Sequence, residues 1–165
     1  NGDCGGGGFL GSNPLGVLVL KRIEANEVPD FLEACGPLLQ SYGMSGTFCL
    51  PTATAVWKEL IEKENGFIAA DVHPGEIRGV VAGFVNFDFE SNCLVANEAH
   101  WYVAQEHRGS TIGVRLLRQF EKWAMLKGCK RIVCGYEPGK SPDFMSEMYA
   151  KLGYKKERVL RIREI

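Results

Sequence analysis

Hydrophobic positions along the chain change period several times, and each change marks an expected element. Gly16 to Ile23 (GVLVLKRI) is a β-rich run that predicts a first strand. Val28, Phe31, Leu32, Cys35, Leu38, Leu39 and Tyr42 then recur at helical spacing, with Gly36-Pro37 expected to break or kink that helix near its middle. Gly43 to Pro51 reads as a loop. A second helix is expected to start near Thr52 or Thr54, either of which could cap it, to bury Val56, Trp57, Leu60 and Ile61, and to stop at Asn65-Gly66. Phe67 to Val72, Ile77 to Phe89 and Leu94 to Val103 follow as three strands. The turns His73-Pro74-Gly75 and Glu90-Ser91-Asn92 separate them, most simply as an antiparallel meander.

After Val103 comes a short basic turn and then a long amphipathic helix ending near Lys127, whose apolar stripe is Ile112, Leu116, Phe120 and Trp123. Arg131 to Tyr136 (RIVCGY) is a short buried strand, so Leu94 to Tyr136 suggests a right-handed parallel crossover. Ser141-Pro142 caps and opens another helix carrying Phe144, Met145, Met148, Tyr149 and Leu152, which stops at Gly153. Tyr154 to Ile165 alternates charged and apolar residues as a solvent-facing last strand. The fold class is therefore α/β (α+β), a mixed central sheet flanked by helices. Residues 14–165 form one domain after a Gly-rich tail at 1–13 (NGDCGGGGFLGSN), which lacks the lysine and following helix of a phosphate loop.

Composition narrows the function classes. With 45% hydrophobic and 24% charged residues in 165, the chain is an ordinary globular protein large enough to bury its own core. A net charge of −1 gives no basic field for nucleic acid or an anionic membrane, and the arginines of the last strand read as a solvated face. No window approaches the roughly 18 apolar residues of a membrane span. The six cysteines (Cys4, Cys35, Cys49, Cys93, Cys129, Cys134) include no C-x-x-C pair. They are expected to be reduced, mostly small core hydrophobes, in a cytoplasmic protein, with no metal site and no secretory signal.

Candidate chemistry concentrates where the Leu94 to Val103 strand meets the long helix. The first N–H groups of that helix have no helical acceptor, and the helix dipole adds positive charge there. Arg108-Gly109-Ser110-Thr111-Ile112-Gly113 therefore surrounds an anion site.

The order of elements, together with this run, resembles the GNAT acetyltransferase superfamily. Arg108 to Gly113 is similar to its R-x-x-G-x-G/A signature, preceded by Val103-Ala104-Gln105-Glu106-His107. Met148-Tyr149-Ala150-Lys151-Leu152-Gly153-Tyr154 is similar to the family's aromatic-Tyr-x-x-x-Gly-aromatic stretch. The resemblance covers roughly Leu15 to Ile165. One position departs from it: Thr111 stands where the signature has glycine, in a place where φ should be negative. Its side chain could crowd a phosphate or hydrogen-bond to one.

The resemblance implies a fold, an activity and roles. The activity would be acyl transfer from acetyl-CoA to an amine, by direct attack in a ternary complex. Arg108, Gly109, Ser110, Thr111, Ile112 and Gly113 would hold the CoA pyrophosphate. The Glu98 to Val103 strand would pair with the pantetheine amides, and an N–H at Val103 or Ala104 would polarise the thioester carbonyl. Tyr149 would protonate the departing thiolate. Glu98, His100 and Tyr102 alternate along one strand face, which makes Glu98 the first candidate for general base and His100 the second. Glu106 and His107 are expected to be solvated loop residues. The acceptor, a small-molecule or protein amine, is left open, as is the oligomeric state, a homodimer included. The competing reading is a catalytically inactive GNAT-like domain, a CoA-binding or structural module tethered by its tail.

Overall fold

The computed structural model describes residues 19–40, 48–135 and 142–156. These divide into two compact units, one ending at Cys134 and one beginning at Gly135. The expected tail, the Gly43-to-Pro51 loop up to residue 47, the cap at Ser141 and the terminal strand beyond residue 156 lie outside the described residues.

The first unit is built on a five-stranded sheet: β1 (Val19–Arg22), β2 (Gly66–His73), β3 (Glu76–Asp88), β4 (Cys93–Val103) and β5 (Arg131–Val133), hydrogen-bonded in that order. The first four pair antiparallel, and β4 pairs with β5 in parallel through Val95–Arg131 to Asn97–Val133. The meander and crossover expected from the pattern are both present. Gly75 (φ +76°) and Asn92 (φ +50°) make the two turns of the meander.

Helices α1 (Val28–Gln40) and α2 (Leu50–Glu62) cover one face. Val28, Phe31, Trp57 and Ile61 bury there against Ile68, Ala70, Val80, Ala82 and Tyr102. Three expectations are corrected. α1 runs unbroken through Gly36-Pro37. α2 begins at Leu50, with Cys49 as N-cap and Pro51 in its first turn, because proline's missing N–H has no helical acceptor there. Val56, expected in the core, is 49% exposed; Trp57 and Ile61 carry the buried stripe of α2.

Helix α3 (Ile112–Leu126) covers the other face. Leu116, Leu117 and Phe120 are at most 1% exposed, and Trp123 stacks on both Phe67 and Phe120 at 5.2 and 5.7 Å. Two glycines of β3 admit the helix: a Cβ on Gly79 would meet Leu116 at 2.9 Å, and one on Gly83 would meet Phe120 at 2.5 Å. Of the described cysteines only Cys35 is buried. Cys93, Cys129 and Cys134 are half-buried and Cys49 is exposed, which corrects the expectation of mostly core thiols. Cys134 also follows β5 rather than lying in it.

In the second unit, α4 (Pro142–Lys151) opens on the expected proline. It stops at Gly153 (φ +92°), where the Tyr154 N–H reaches back to the Tyr149 carbonyl at 2.9 Å.

Candidate active site

β4 outlasts its parallel partner. The ladder with β5 ends at Asn97–Val133, whereas β4 continues to Val103. The phase of its pairing with β3 decides which backbone groups face the β5 side. The Ala104 N–H donates to the Arg78 carbonyl at 2.8 Å. Bonded and non-bonded pairs alternate in an antiparallel ladder, so at the neighbouring Val103–Gly79 pair the Val103 backbone groups point away from β3. The Val103 carbonyl demonstrates this by accepting the Arg108 Nε at 3.1 Å. An engaged Ala104 N–H cannot also polarise a thioester, so of the two expected donors the geometry favours Val103.

A short 3-10 turn, Gln105–His107, leads into the Arg108–Gly113 run where an anion site is expected. Gly109 takes φ +83°, a conformation that glycine adopts without strain, and nothing lies within 4 Å of the place a Cβ would occupy. Thr111 is the N-cap of α3, with φ −80° and no capping hydrogen bond from its side chain. Threonine is thus sterically at ease where the signature has glycine. The first helical bond runs from Arg115 N–H to the Thr111 carbonyl at 3.0 Å, so the amides before it have no helical acceptor. The Ser110 and Ile112 amides make only long local contacts of 3.4 Å, to the His107 carbonyl and the Ser110 Oγ. Gly113 serves packing: its Cβ would meet Trp101 and Val103 at 3.3 Å, and its carbonyl accepts the Trp101 indole N–H at 3.0 Å. The α3 N-terminus is thereby held against β4. The Arg108 guanidinium lies over the Tyr102 ring at 5.8 Å.

His107 corrects an expectation. It is half-buried, and its Nε2 lies 2.7 Å from Glu76 Oε1, while Arg78 Nε donates to Glu76 Oε2 at 2.7 Å. The His107 and Arg78 hydrogen bonds hold the Glu76 carboxyl below its ordinary range. Glu76, Glu106 and His107 bring three potential ligand atoms within 4.8 Å of one another. Arg78 already neutralises Glu76, so this cluster reads as a clasp fixing the turn before α3 to the start of β3.

The candidate bases separate. Glu98 pairs with Gly83 and His100 with Ala82, so Ala99 is an extra residue and the strand bulges. The expected alternation of Glu98, His100 and Tyr102 is broken there: by register Glu98 falls on the α3 side, while His100 and Tyr102 stay on the α1–α2 side. Burial pushes the His100 imidazole below its ordinary value. Its ring centroid lies 6.3 Å from that of the buried Trp57. In the second unit, Tyr149 is buried, donates its hydroxyl to the Gly135 carbonyl at 3.3 Å, and meets the Tyr154 ring edge-on at 5.4 Å.

A family model described as the acetyltransferase (GNAT) family matches residues 37–154. The chain belongs to the GNAT acetyltransferase family. Solved structures agree on the fold. An aminoglycoside acetyltransferase, meta-AAC0020, from an uncultured soil metagenomic sample superposes with a TM-score of 0.72 at 17% identity, over 90% of this chain and 95% of that one. AAC(6')-Iy, solved with a bisubstrate analogue of CoA and acetylneamine, gives 0.70 at 15% identity over 90% and 99%. A ribosomal-protein-alanine N-acetyltransferase from Brucella melitensis biovar Abortus 2308 gives 0.64 at 14% over 90% and 100%. No curated protein sequence matches. In this GNAT chain the strand, the turn and the helix N-terminus stand in the order the signature requires. The sequence pattern did not single out Trp57 as the cover of His100, or Glu76 as the anchor of His107, because both contacts depend on strand register.

Proposed function

We propose that this chain is an N-acyltransferase, moving an acetyl group from acetyl-CoA to an amine acceptor by direct attack in a ternary complex. The observation that carries this reading is the α3 N-terminus. It offers amides without a helical acceptor beside Arg108 and an open Gly109, next to a β4 strand whose Val103 backbone points to the same side as the Arg108 side chain. Pyrophosphate matches that donor set in charge and geometry. Residues 14–165 would act as one domain, as a family match reaching across both units supports.

In this reading the Glu98–Val103 strand and the Val103 N–H orient the thioester. The acceptor nitrogen bonds to the carbonyl carbon, the carbon–sulfur bond breaks, and Tyr149 gives its proton to the leaving thiolate. A neutral amine is needed, so a base takes the acceptor's proton directly or through water. Glu98 and His100 remain the candidates. His100 is the better poised, since burial keeps its imidazole neutral and able to accept. Relatives of the same fold are named for aminoglycoside and protein acceptors, and the acceptor proposed here is an amine of either kind.

The test is thiol release from acetyl-CoA across a panel of small amines and peptides. Turnover is expected with at least one, and Tyr149→Phe is expected to lower kcat by about 10²–10⁴-fold while leaving acetyl-CoA binding intact. Binding without turnover across the panel would favour the non-catalytic module instead.

A further inference from the structure

Two cysteines away from this site lie in neighbouring segments, where β4 begins and the α3–β5 turn ends. Cys93 and Cys129 each lie two residues before the first parallel pair, Val95–Arg131. The Lys130 N–H donates to the Leu94 carbonyl at 2.9 Å, so the two segments remain adjacent at that end. Neighbouring strands run about 4.8 Å apart. That falls within the roughly 4.4–6.8 Å Cα separation across which a disulfide closes. Both cysteines are half-buried, so reagent can reach them. Burial pushes the Cys129 thiol up, and the nearby Cys93 adds to that. Ser91 gives its hydroxyl proton to Asp88, so across the 3.2 Å to Ser91 Oγ the Cys93 thiol is the donor. Cys35, by contrast, is sealed in the core with its thiol pushed up to about 12.

We propose that Cys93 and Cys129 form a reversible dithiol–disulfide site, oxidised by a small-molecule disulfide such as oxidised glutathione. The Cys93 thiolate attacks one sulfur of the oxidant, forming a mixed disulfide and releasing the first small thiolate. The Cys129 thiolate then attacks the Cys93 sulfur and releases the second. The protein loses two protons and two electrons; the oxidant gains both and leaves as two thiols. The new bond ties the start of β4 to the end of α3, the two elements that carry the anion turn at their other ends. It also constrains the unfolded chain between residues 93 and 129, so the oxidised protein should be the more stable form.

The experiment uses the full chain, folded, without acyl-CoA, so its outcome is independent of the acyltransferase reading. The protein is incubated with oxidised glutathione, free thiols are alkylated under acid quench, and the digest is mapped without reduction. The expected product is a Cys93–Cys129 cross-linked peptide, two hydrogens lighter than its reduced parts and reversed by dithiothreitol. A higher Tm is expected for the oxidised chain than for the reduced one. Cys129→Ser should instead accumulate the mixed disulfide at Cys93. Alkylation of both cysteines after oxidation, separate glutathione adducts on each, or linkage to a different cysteine would overturn the proposal; the wild-type map decides even if the variant does not fold.

Discussion

Gly109 and Gly113 bracket the same turn for different reasons, and alanine should separate them. At Gly109 the φ of +83° and the open surroundings make the penalty conformational, about 1–2 kcal/mol. At Gly113 a Cβ would press on Trp101 and Val103 at 3.3 Å and lever the helix N-terminus from β4. Chemical denaturation should therefore show Gly109→Ala destabilised by that amount, and titration should show acetyl-CoA binding weakened in both; unchanged stability of Gly109→Ala would contradict the left-handed assignment. His100 gives a second prediction at this scale. Burial holds its native pKa below the unfolded value, so near-neutral solution leaves it uncharged in both states. As pH falls through the unfolded pKa of about 6.5, the unfolded chain takes up the proton first and stability drops, until the lower native pKa is passed. His100→Gln should flatten that part of the stability profile. If His100 is also the base, the variant should lose the acidic limb of kcat/KM, a limb that Glu98→Gln would leave in place.

The elements most visible in the sequence are those whose patterning is long and regular. The α3 stripe Ile112, Leu116, Phe120 and Trp123 is buried as its period requires. Phe120 is 0% exposed and packs on both Phe67 and Trp123. Phe120→Ala should thus cost about 3–5 kcal/mol by denaturant titration. A loss below about 1 kcal/mol would mean that α3 does not depend on this contact. The meander and the crossover were legible for the same reason, since their strands are β-rich apolar runs between clear turn residues. Other features depend on partners that no local pattern shows. The bulge at Ala99 exists only in the register of β4 against β3, and it moves Glu98 off the face that alternation assigns it. Whether Val103 or Ala104 has an available N–H depends on the pairing phase, fixed by the bond from Ala104 to Arg78. The continuity of α1 through Gly36-Pro37 shows tertiary packing overriding a local breaker. Nor did the sequence flag Asp71, wholly buried in β2, with His73 Nε2 at 2.8 Å from its Oδ1 but without hydrogen-bond alignment.

For the whole molecule, charge and topology point the same way. A net charge of −1 leaves no general anion-attracting field, so on the proposed reading an anionic ligand is held locally, by the amides of one helix end and the arginine beside it. No helix among the described residues is long and apolar enough to cross a membrane. The most direct measurement is therefore a calorimetric titration with acetyl-CoA, run beside a thermal shift, on the wild-type chain and on Arg108→Glu. Binding by the wild type should stabilise it by about 2.7 kcal/mol when the ligand is at 100 times its Kd. Reversing the charge at Arg108 should abolish that binding while leaving the unliganded Tm close to wild type, because Arg108 is exposed. Equal affinity in the two proteins, or no heat from the wild type at millimolar acetyl-CoA, would contradict a CoA pyrophosphate site at the α3 N-terminus.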